Sequence, residues 1–293
     1  MARSPARRDR QLKRRRHDGR RALLRLLVIA AAWLASSAWA QGLAVPEDAF
    51  PDVARAYWVE IDGRPAWAGA SSDRLPMASL TKLMTALLIV EGADLEATVT
   101  IGPGTVRETG SRIGLRQGER AKARDLFLVM MVRSANDACR ALADWHAGDQ
   151  ARFVQAMNAR ALRLGLRNTR FADACGHDAP TQYSSARDLA VLARAALAQP
   201  EIAAAAQQLE HRFATEGGRR FHVRATNALL GRFDGAKGLK TGYTPGAGRC
   251  LIALAERDGV QVLVVMLDAR DRWWDTVGLL ELAFDEARAR PKP

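Results

Sequence analysis

From Ala54 onward the apolar and polar positions fall into blocks whose period and length set the elements. Ala56 to Ile61 reads as a strand, Asp62-Gly63 as a tight hairpin turn and Arg64 to Ala70 as its partner. Pro76 then opens an apolar segment from Met77 to Val90 with no internal Gly or Pro, which predicts a buried helix carrying proline in its first turn. Asp125 begins a further helix through Val132. Helical spacing resumes from Asp137 to His146, and Ala151 to Gly165 is an amphipathic helix closed by glycine. Ser184 and Ser185 cap a helix from Ala186 to Leu197, with Asp188 placed favourably for the helix dipole. After about residue 211 the period changes. Arg249 to Ala255 and Val260 to Leu267 are strands flanking Asp258-Gly259, and Trp273 to Ala289 is a last amphipathic helix. Strands therefore lie at both ends and helices between them. The pattern predicts an α+β domain: one sheet built from both termini, packed on helices, with an inserted helical lobe.

The segment before this domain changes how the charge is read. The chain of 293 residues carries a formal +12, suggestive of a nucleic-acid binder. Residues 1–40, however, hold eleven Lys/Arg against two Asp/Glu, a net +9, which leaves +3 for residues 41–293. A nearly balanced body offers no broad footprint for a polyanion, so no nucleic-acid partner is expected. Those forty residues read as a secretory signal: a basic stretch, a short apolar run from Leu26 to Leu34, and Ala38-Trp39-Ala40 before Gln41. The expected organisation is a signal peptide over 1–40, a linker over 41–53 and a catalytic domain over 54–289. The product is exported, to the periplasm in a two-membrane cell, with peripheral or no membrane contact after cleavage. It would stay at the inner membrane if the segment is retained as an anchor. Three cysteines follow (Cys139, Cys175 and Cys250), so at least one is free or pairs between molecules. Only Cys175-Gly176-His177 puts two soft ligands close together. A tetrahedral site needs three or four, and no metal is expected. Cys139 fits a buried helix residue one turn beyond Asn136.

Candidate chemistry begins at Ser79-Leu80-Thr81-Lys82. Residues at i and i+3 share a helix face, so the Lys82 amine can reach the Ser79 hydroxyl. A serine needs a neighbouring base to become a nucleophile, and a buried lysine with a lowered pKa can be that base. Alone, the pair is better read as a capping serine beside a solvated lysine, because Ser-x-x-Lys matches are common by chance. Ser134-Ala135-Asn136 falls where two helical segments meet, so a hydroxyl and a carboxamide can turn into one cleft, although a helix cap would look the same. Lys240-Thr241-Gly242 supplies a cation and hydroxyl suited to a carboxylate, and a glycine that lets substrate backbone approach.

In this order, the three elements form the Ser-x-x-Lys, Ser-x-Asn and Lys-Thr-Gly set of penicillin-recognising serine enzymes. Ala78–Thr85, Ser134–Ala138, Leu164–Phe171, Tyr183–Leu189 and Gly238–Thr244 resemble the low-molecular-mass penicillin-binding proteins, and more narrowly the D-alanyl-D-alanine carboxypeptidase and endopeptidase family, serine peptidase family S11. The resemblance runs from about Ala54 to Phe284. It implies the β-lactamase/DD-peptidase fold, an antiparallel sheet flanked by helices. It further implies Ser79 as the acylated nucleophile, Lys82 as general base and Ser134 as the group passing a proton to the leaving amine. Asn136 would hold the substrate peptide, Lys240 and Thr241 the terminal carboxylate, with Gly242 beside them. The backbone N–H groups of Ser79 and Tyr243 would receive the oxyanion. Peptidoglycan stem peptides are the implied substrates and β-lactam antibiotics the implied covalent inhibitors, with no cofactor. Residues 172–178 (Ala-Asp-Ala-Cys-Gly-His-Asp) depart from the Asn-Pro-Thr-Gly-Leu frequent in the family, which leaves the shape of one edge of the site open.

Other readings weigh less. A class A β-lactamase needs a glutamate to activate the deacylating water, and Glu201, Glu210 and Glu216 lie in no Glu-x-x-Leu-Asn arrangement. Leu239 before Lys240 breaks a phosphate loop. A non-catalytic cell-wall binding protein would have no need to keep all three motifs intact. Carboxypeptidase is preferred to endopeptidase. The short C-terminal end resembles the endopeptidases, and both reactions share the same acyl-enzyme. Arg270 and Arg272 suit either a solvated loop or added positive charge near the substrate carboxylate.

Overall fold

Two Asp-Gly turns organise the sheet. In each, both residues adopt positive φ (Asp62 51° and Gly63 73°; Asp258 51° and Gly259 79°), the backbone twist that joins adjacent antiparallel strands. The computed structural model describes residues 48–289. The strand β1 (Ala54–Ile61) pairs with β2 (Arg64–Gly69), and β8 (Gly248–Arg257) with β9 (Val260–Ala269). β1 also pairs with β9 in register Tyr57 to Met266, and β7 (Ala236–Thr244) adds to β8, giving the antiparallel order β2-β1-β9-β8-β7. The proposed signal over residues 1–40, and residues 41–47 of the linker, lie outside the described residues.

The sheet strands read as nearly continuous apolar runs because both faces are covered. Side chains alternate across the sheet: Cys250, Ile252 and Leu254 of β8 face one core cluster, while Leu251, Ala253 and Ala255 face the other. The second cluster is closed by the C-terminal helix α8 (Trp274–Ala289) through Leu279, Leu280, Ala283 and Phe284. The first is closed by α6 (Ala186–Leu197), which packs on β1 and β9 and extends into the helical lobe. Ser185 caps α6, its hydroxyl accepting the Asp188 N–H at 3.2 Å.

The lobe is centred on α1 (Lys82–Gly92), in which every residue from Lys82 to Ile89 is buried, as expected of a helix apolar on all sides. Around it lie α2 (Pro103–Val106), α3 (Ala123–Val132), α4 (Asn136–Ala147), α5 (Gln150–Arg163) and α7 (Pro200–Ala206). Two small hairpin sheets complete it: β3 (Thr98–Thr100) with β4 (Arg120–Lys122), and β5 (Glu210–Ala214) with β6 (Arg220–Arg224).

One helix starts later than the sequence pattern predicts. Ala78–Thr81 is a 3-10 turn, and the α-helix begins at Lys82. Ala78 sits at φ 48°, and its carbonyl accepts the Thr81 hydroxyl at 2.8 Å, so a regular α ladder cannot run through this turn. The cysteines also pair in a way their spacing hides. Cys139 of α4 is bonded to Cys175 with Cα atoms 5.9 Å apart, and Cys250 is a buried free thiol.

Candidate active site

The 3-10 turn places Ser79, the candidate nucleophile. Positions i and i+3 eclipse in such a turn, and Lys82 Nζ lies 3.0 Å from Ser79 Oγ. Lys82 is fully buried and donates to two further acceptors, Asn136 Oδ1 at 2.6 Å and the Cys175 carbonyl. Burial pulls its pKa down from the usual lysine value to about 7, against the opposing charges of Asp173 and Glu108. A neutral amine beside a serine hydroxyl is a base in place.

Ser134 and Asn136 come from the α3–α4 junction, as the sequence suggests. Ser134 is held at φ 61°, a left-handed conformation costly to a residue with a side chain, and this turns its hydroxyl into the cleft. Asn136 opens α4. Its Nδ2 donates to the Thr109 carbonyl at 2.6 Å, which fixes Oδ1 towards Lys82.

The third element lies within a strand, not ahead of the strands where the pattern places it. Lys240 and Thr241 occupy the middle of β7, the last strand of the sheet. Buried Lys240 donates to Ser134 Oγ at 2.8 Å and to the Thr241 carbonyl at 3.0 Å. Its pKa is driven well below the usual value by burial first, then by Lys82 and Arg272. The Thr241 and Thr226 hydroxyls are 2.8 Å apart. A Cβ on Gly242 would stand 3.1 Å from both Ala78 Cβ and the Met77 carbonyl oxygen, so glycine lets β7 lie against the nucleophile turn. Tyr243 follows at the rim, exposed.

Two residue groups carry more than the sequence signalled. Arg272 lies in the cleft and donates to the Gly242 carbonyl at 2.8 Å, whereas Arg270 is an exposed partner of Asp52. The segment 172–178 forms the opposite edge. Asp173 Oδ1 accepts the backbone N–H groups of Cys175, Gly176 and His177, winding the turn that carries the disulfide to α4. Gly176, at φ 94°, touches the nucleophile turn so closely that a Cβ there would fall 2.1 Å from the Ala78 carbonyl oxygen. Asp178 then clips this edge to the β7–β8 turn by accepting from Thr244 Oγ1 at 2.5 Å and Gly246 N at 3.0 Å. His177 lines the cleft rather than joining Cys175 around a metal, and among the described residues no group of three His, Cys, Asp or Glu side chains could hold one. The resulting cleft of about 570 Å³ brings together Ser79, Ser134, Asn136, Thr241, Gly242 and Tyr243, with Lys82 and Lys240 buried behind them. A cleft on the scale of small-molecule sites with two lysines of lowered pKa, each bonded to a serine hydroxyl, is equipped for acyl transfer.

The fold and this arrangement define a transpeptidase-like class of serine enzymes. A DD-transpeptidase from Streptomyces superposes with a TM-score of 0.76 at 28% identity, covering 82% of this chain and 99% of that one. A penicillin-binding protein from Listeria monocytogenes in its ampicillin-bound form gives a TM-score of 0.71 at 31% identity over 81% of this chain and all of the other. Within that class, the family model for D-alanyl-D-alanine carboxypeptidase matches residues 62–271, and the chain belongs to this family. D-alanyl-D-alanine carboxypeptidases of Bacillus subtilis and Mycobacterium tuberculosis are 31% and 30% identical, covering 78% of this chain in each case and 61% and 82% of the relatives. A D-alanyl-D-alanine endopeptidase of Pseudomonas aeruginosa is 33% identical over 67% of this chain and 64% of its own length. The chain spans about three fifths of the length of the Bacillus and Escherichia coli carboxypeptidases it matches.

Proposed function

We propose that the protein is a serine D-alanyl-D-alanine carboxypeptidase acting on peptidoglycan stem peptides through an acyl-enzyme on Ser79. The observation that carries this reading is the pairing of fully buried Lys82, its pKa near 7, with Ser79 Oγ at 3.0 Å. In its neutral form Lys82 takes the Ser79 proton, and Oγ attacks the carbonyl of the penultimate D-alanine. The oxyanion is received by the backbone N–H groups of Ser79 and Tyr243, two residues that line the cleft. Ser134, bonded to Lys240, gives its proton to the amine as the C–N bond breaks and free D-alanine leaves, and is reprotonated by the proton that Lys82 took from Ser79. Water then cleaves the ester. Thr241 and Arg272 line the hydroxyl and cationic end suited to the terminal carboxylate, with Lys240 buried behind Thr241 and Ser134. Asn136, anchored on Lys82 and Thr109, holds that wall of the cleft for the substrate peptide.

The same serine would be acylated by β-lactams, as the ampicillin-bound relative suggests. Export to the periplasm is supported by the basic and apolar pattern of residues 1–40 and by the Cys139–Cys175 disulfide, a bond that persists in oxidising compartments. Incubating the protein with pentapeptide monomers and with purified cross-linked dimers tests the reading directly. D-alanine released from the monomer is expected. Cleavage of the dimer alone would make it an endopeptidase. A fluorescent penicillin should label the wild type but not Ser79→Ala.

A further inference from the structure

His177 stands in the cleft with no part in the steps above, yet three separate segments converge on its ring. Nδ1 is 3.1 Å from Asp173 Oδ2 on its own turn. Nε2 is 3.3 Å from Glu108 Oε2, which follows α2, and 3.2 Å from Asn136 Nδ2 at the start of α4. Glu108 is itself buried and held from behind by Arg140 Nη1 at 3.2 Å, whose Nε grips Asp144. Lys82 of α1 is the other charge facing the ring. Asp178, next in sequence, is turned away to Thr244 and Gly246.

Two proton placements suit the Asp173–His177–Glu108 cluster. With protons on both nitrogens, the imidazolium donates to Asp173 and Glu108, and Asn136 Nδ2 donates to Thr109. With the second proton on Glu108 instead, Nε2 accepts from Asn136 Nδ2. In both, Asn136 Nδ2 donates to the Thr109 carbonyl, so the carboxamide oxygen faces Lys82; in the second, the imidazole holds Nδ2 as well. Both also leave the Asp173–His177–Glu108 cluster with one net negative charge where two carboxylates alone would carry two.

We propose that His177 is a positioning residue for acylation: clamped between Asp173 and Glu108, it fixes the Asn136 carboxamide with its oxygen on Lys82 and cancels one of the two negative charges that Lys82 would otherwise face. The electrostatics run the same way. Asp173 and Glu108 are the charges that raise Lys82 against its burial. His177 is itself raised, chiefly by its hydrogen bond to Asp173 against the effect of burial, with the charges of Asp173 and Glu108 adding to it. Without the imidazole, both carboxylates favour the ammonium form of Lys82, and the base would be available only at higher pH.

This inference rests on Lys82 as the base for Ser79, and the test separates the two. The rate constant for labelling by a fluorescent penicillin is measured on the full chain from pH 5 to 9. A rate constant does not depend on the folded fraction, so partial misfolding of a variant does not obscure it. The acidic limb should move up by roughly half to one pH unit in His177→Gln and down by a similar amount in Glu108→Gln. It should return near the wild-type position in the double variant, whose cluster again carries one negative charge. Limbs that coincide with the wild type, even if the rates fall, overturn the role of His177 and leave the acyl-enzyme reading standing. A wild type that is not labelled, is labelled equally in Ser79→Ala, or shows no acidic limb overturns both.

Discussion

Lys82 is a fully buried lysine whose three neighbouring acceptors are a hydroxyl, a carboxamide and a peptide carbonyl, none of them charged. Burial penalises the ammonium form, and no carboxylate touches the amine to offset it, which is why its pKa falls to about 7. As a base for Ser79, Lys82 would work only when deprotonated, so acylation by penicillin should fall about tenfold per pH unit below pH 7 and level off above it. Stopped-flow labelling across pH measures this, and a flat profile would remove Lys82 as the base. Lys82→Gln should lower the acylation rate by roughly two to four orders of magnitude while leaving the fold intact by circular dichroism. Gly176 makes a different demand. Its φ of 94° and the 2.1 Å approach to the Ala78 carbonyl leave no room for a methyl group. Gly176→Ala should cost about 2 kcal/mol or more of stability in a urea melt and displace the nucleophile turn. A variant with wild-type stability and labelling would show that this contact is dispensable.

At the level of elements, what the sequence disclosed depended on whether a signal was local. The hairpins at Asp62-Gly63 and Asp258-Gly259, and the helix from Ala186 to Leu197 with its Ser185 cap, are set by neighbours in the chain, and they appear where the pattern puts them. The 3-10 turn at Ala78–Thr81 escaped because its cause is distant: Gly176 packs on the Ala78 carbonyl from about a hundred residues away. The β7 strand escaped because Gly238 and Gly242 interrupt its apolar run, although both glycines are there for close packing, on Ala206 and on the nucleophile turn. β3 to β6 are short or polar strands whose partners carry the pairing information. Of the site, Ser79, Lys82, Ser134, Asn136, Lys240 and Thr241 were legible as motifs, whereas Asp173, His177 and Glu108 belong to no motif and meet only in the fold. The Cys139–Cys175 bond is of the same kind. It closes a loop of 36 residues and ties the Lys82-binding turn to α4. Replacing both cysteines by alanine should lower stability by about 2–4 kcal/mol. A denaturation midpoint that does not move would show that Asp173 and its hydrogen bonds hold the turn unaided.

For the whole molecule, charge and layering set behaviour. Most of the formal positive charge lies in residues 1–40, and residues 41–293 carry +3 with many surface arginines already paired to carboxylates. A protein lacking the first forty residues should pass through heparin unretained at about 150 mM salt, where the Debye length is roughly 8 Å. Retention to high salt would reveal a basic face that the overall balance conceals. The sheet, covered by the helical lobe on one side and by α8 on the other, gives β7 a fixed frame, and Leu239 beside the lysine shares one core with Met77, Ala78 and Leu80 around the serine.

The terminal position of β7 in that sheet has a consequence for solubility. A strand with one unpaired edge invites the edge of another molecule and, repeated, an aggregate. Here α7 lies along its first half, where Gly238 meets Ala206, and the nucleophile turn lies along its second, where Gly242 meets Ala78 and Ser79. The turn proposed to carry the nucleophile thus also covers the unpaired edge of β7. Damage to the turn that carries Ser79 should therefore register as light scattering and loss of soluble protein as well as lost labelling, because it uncovers a strand ready to pair with its own kind.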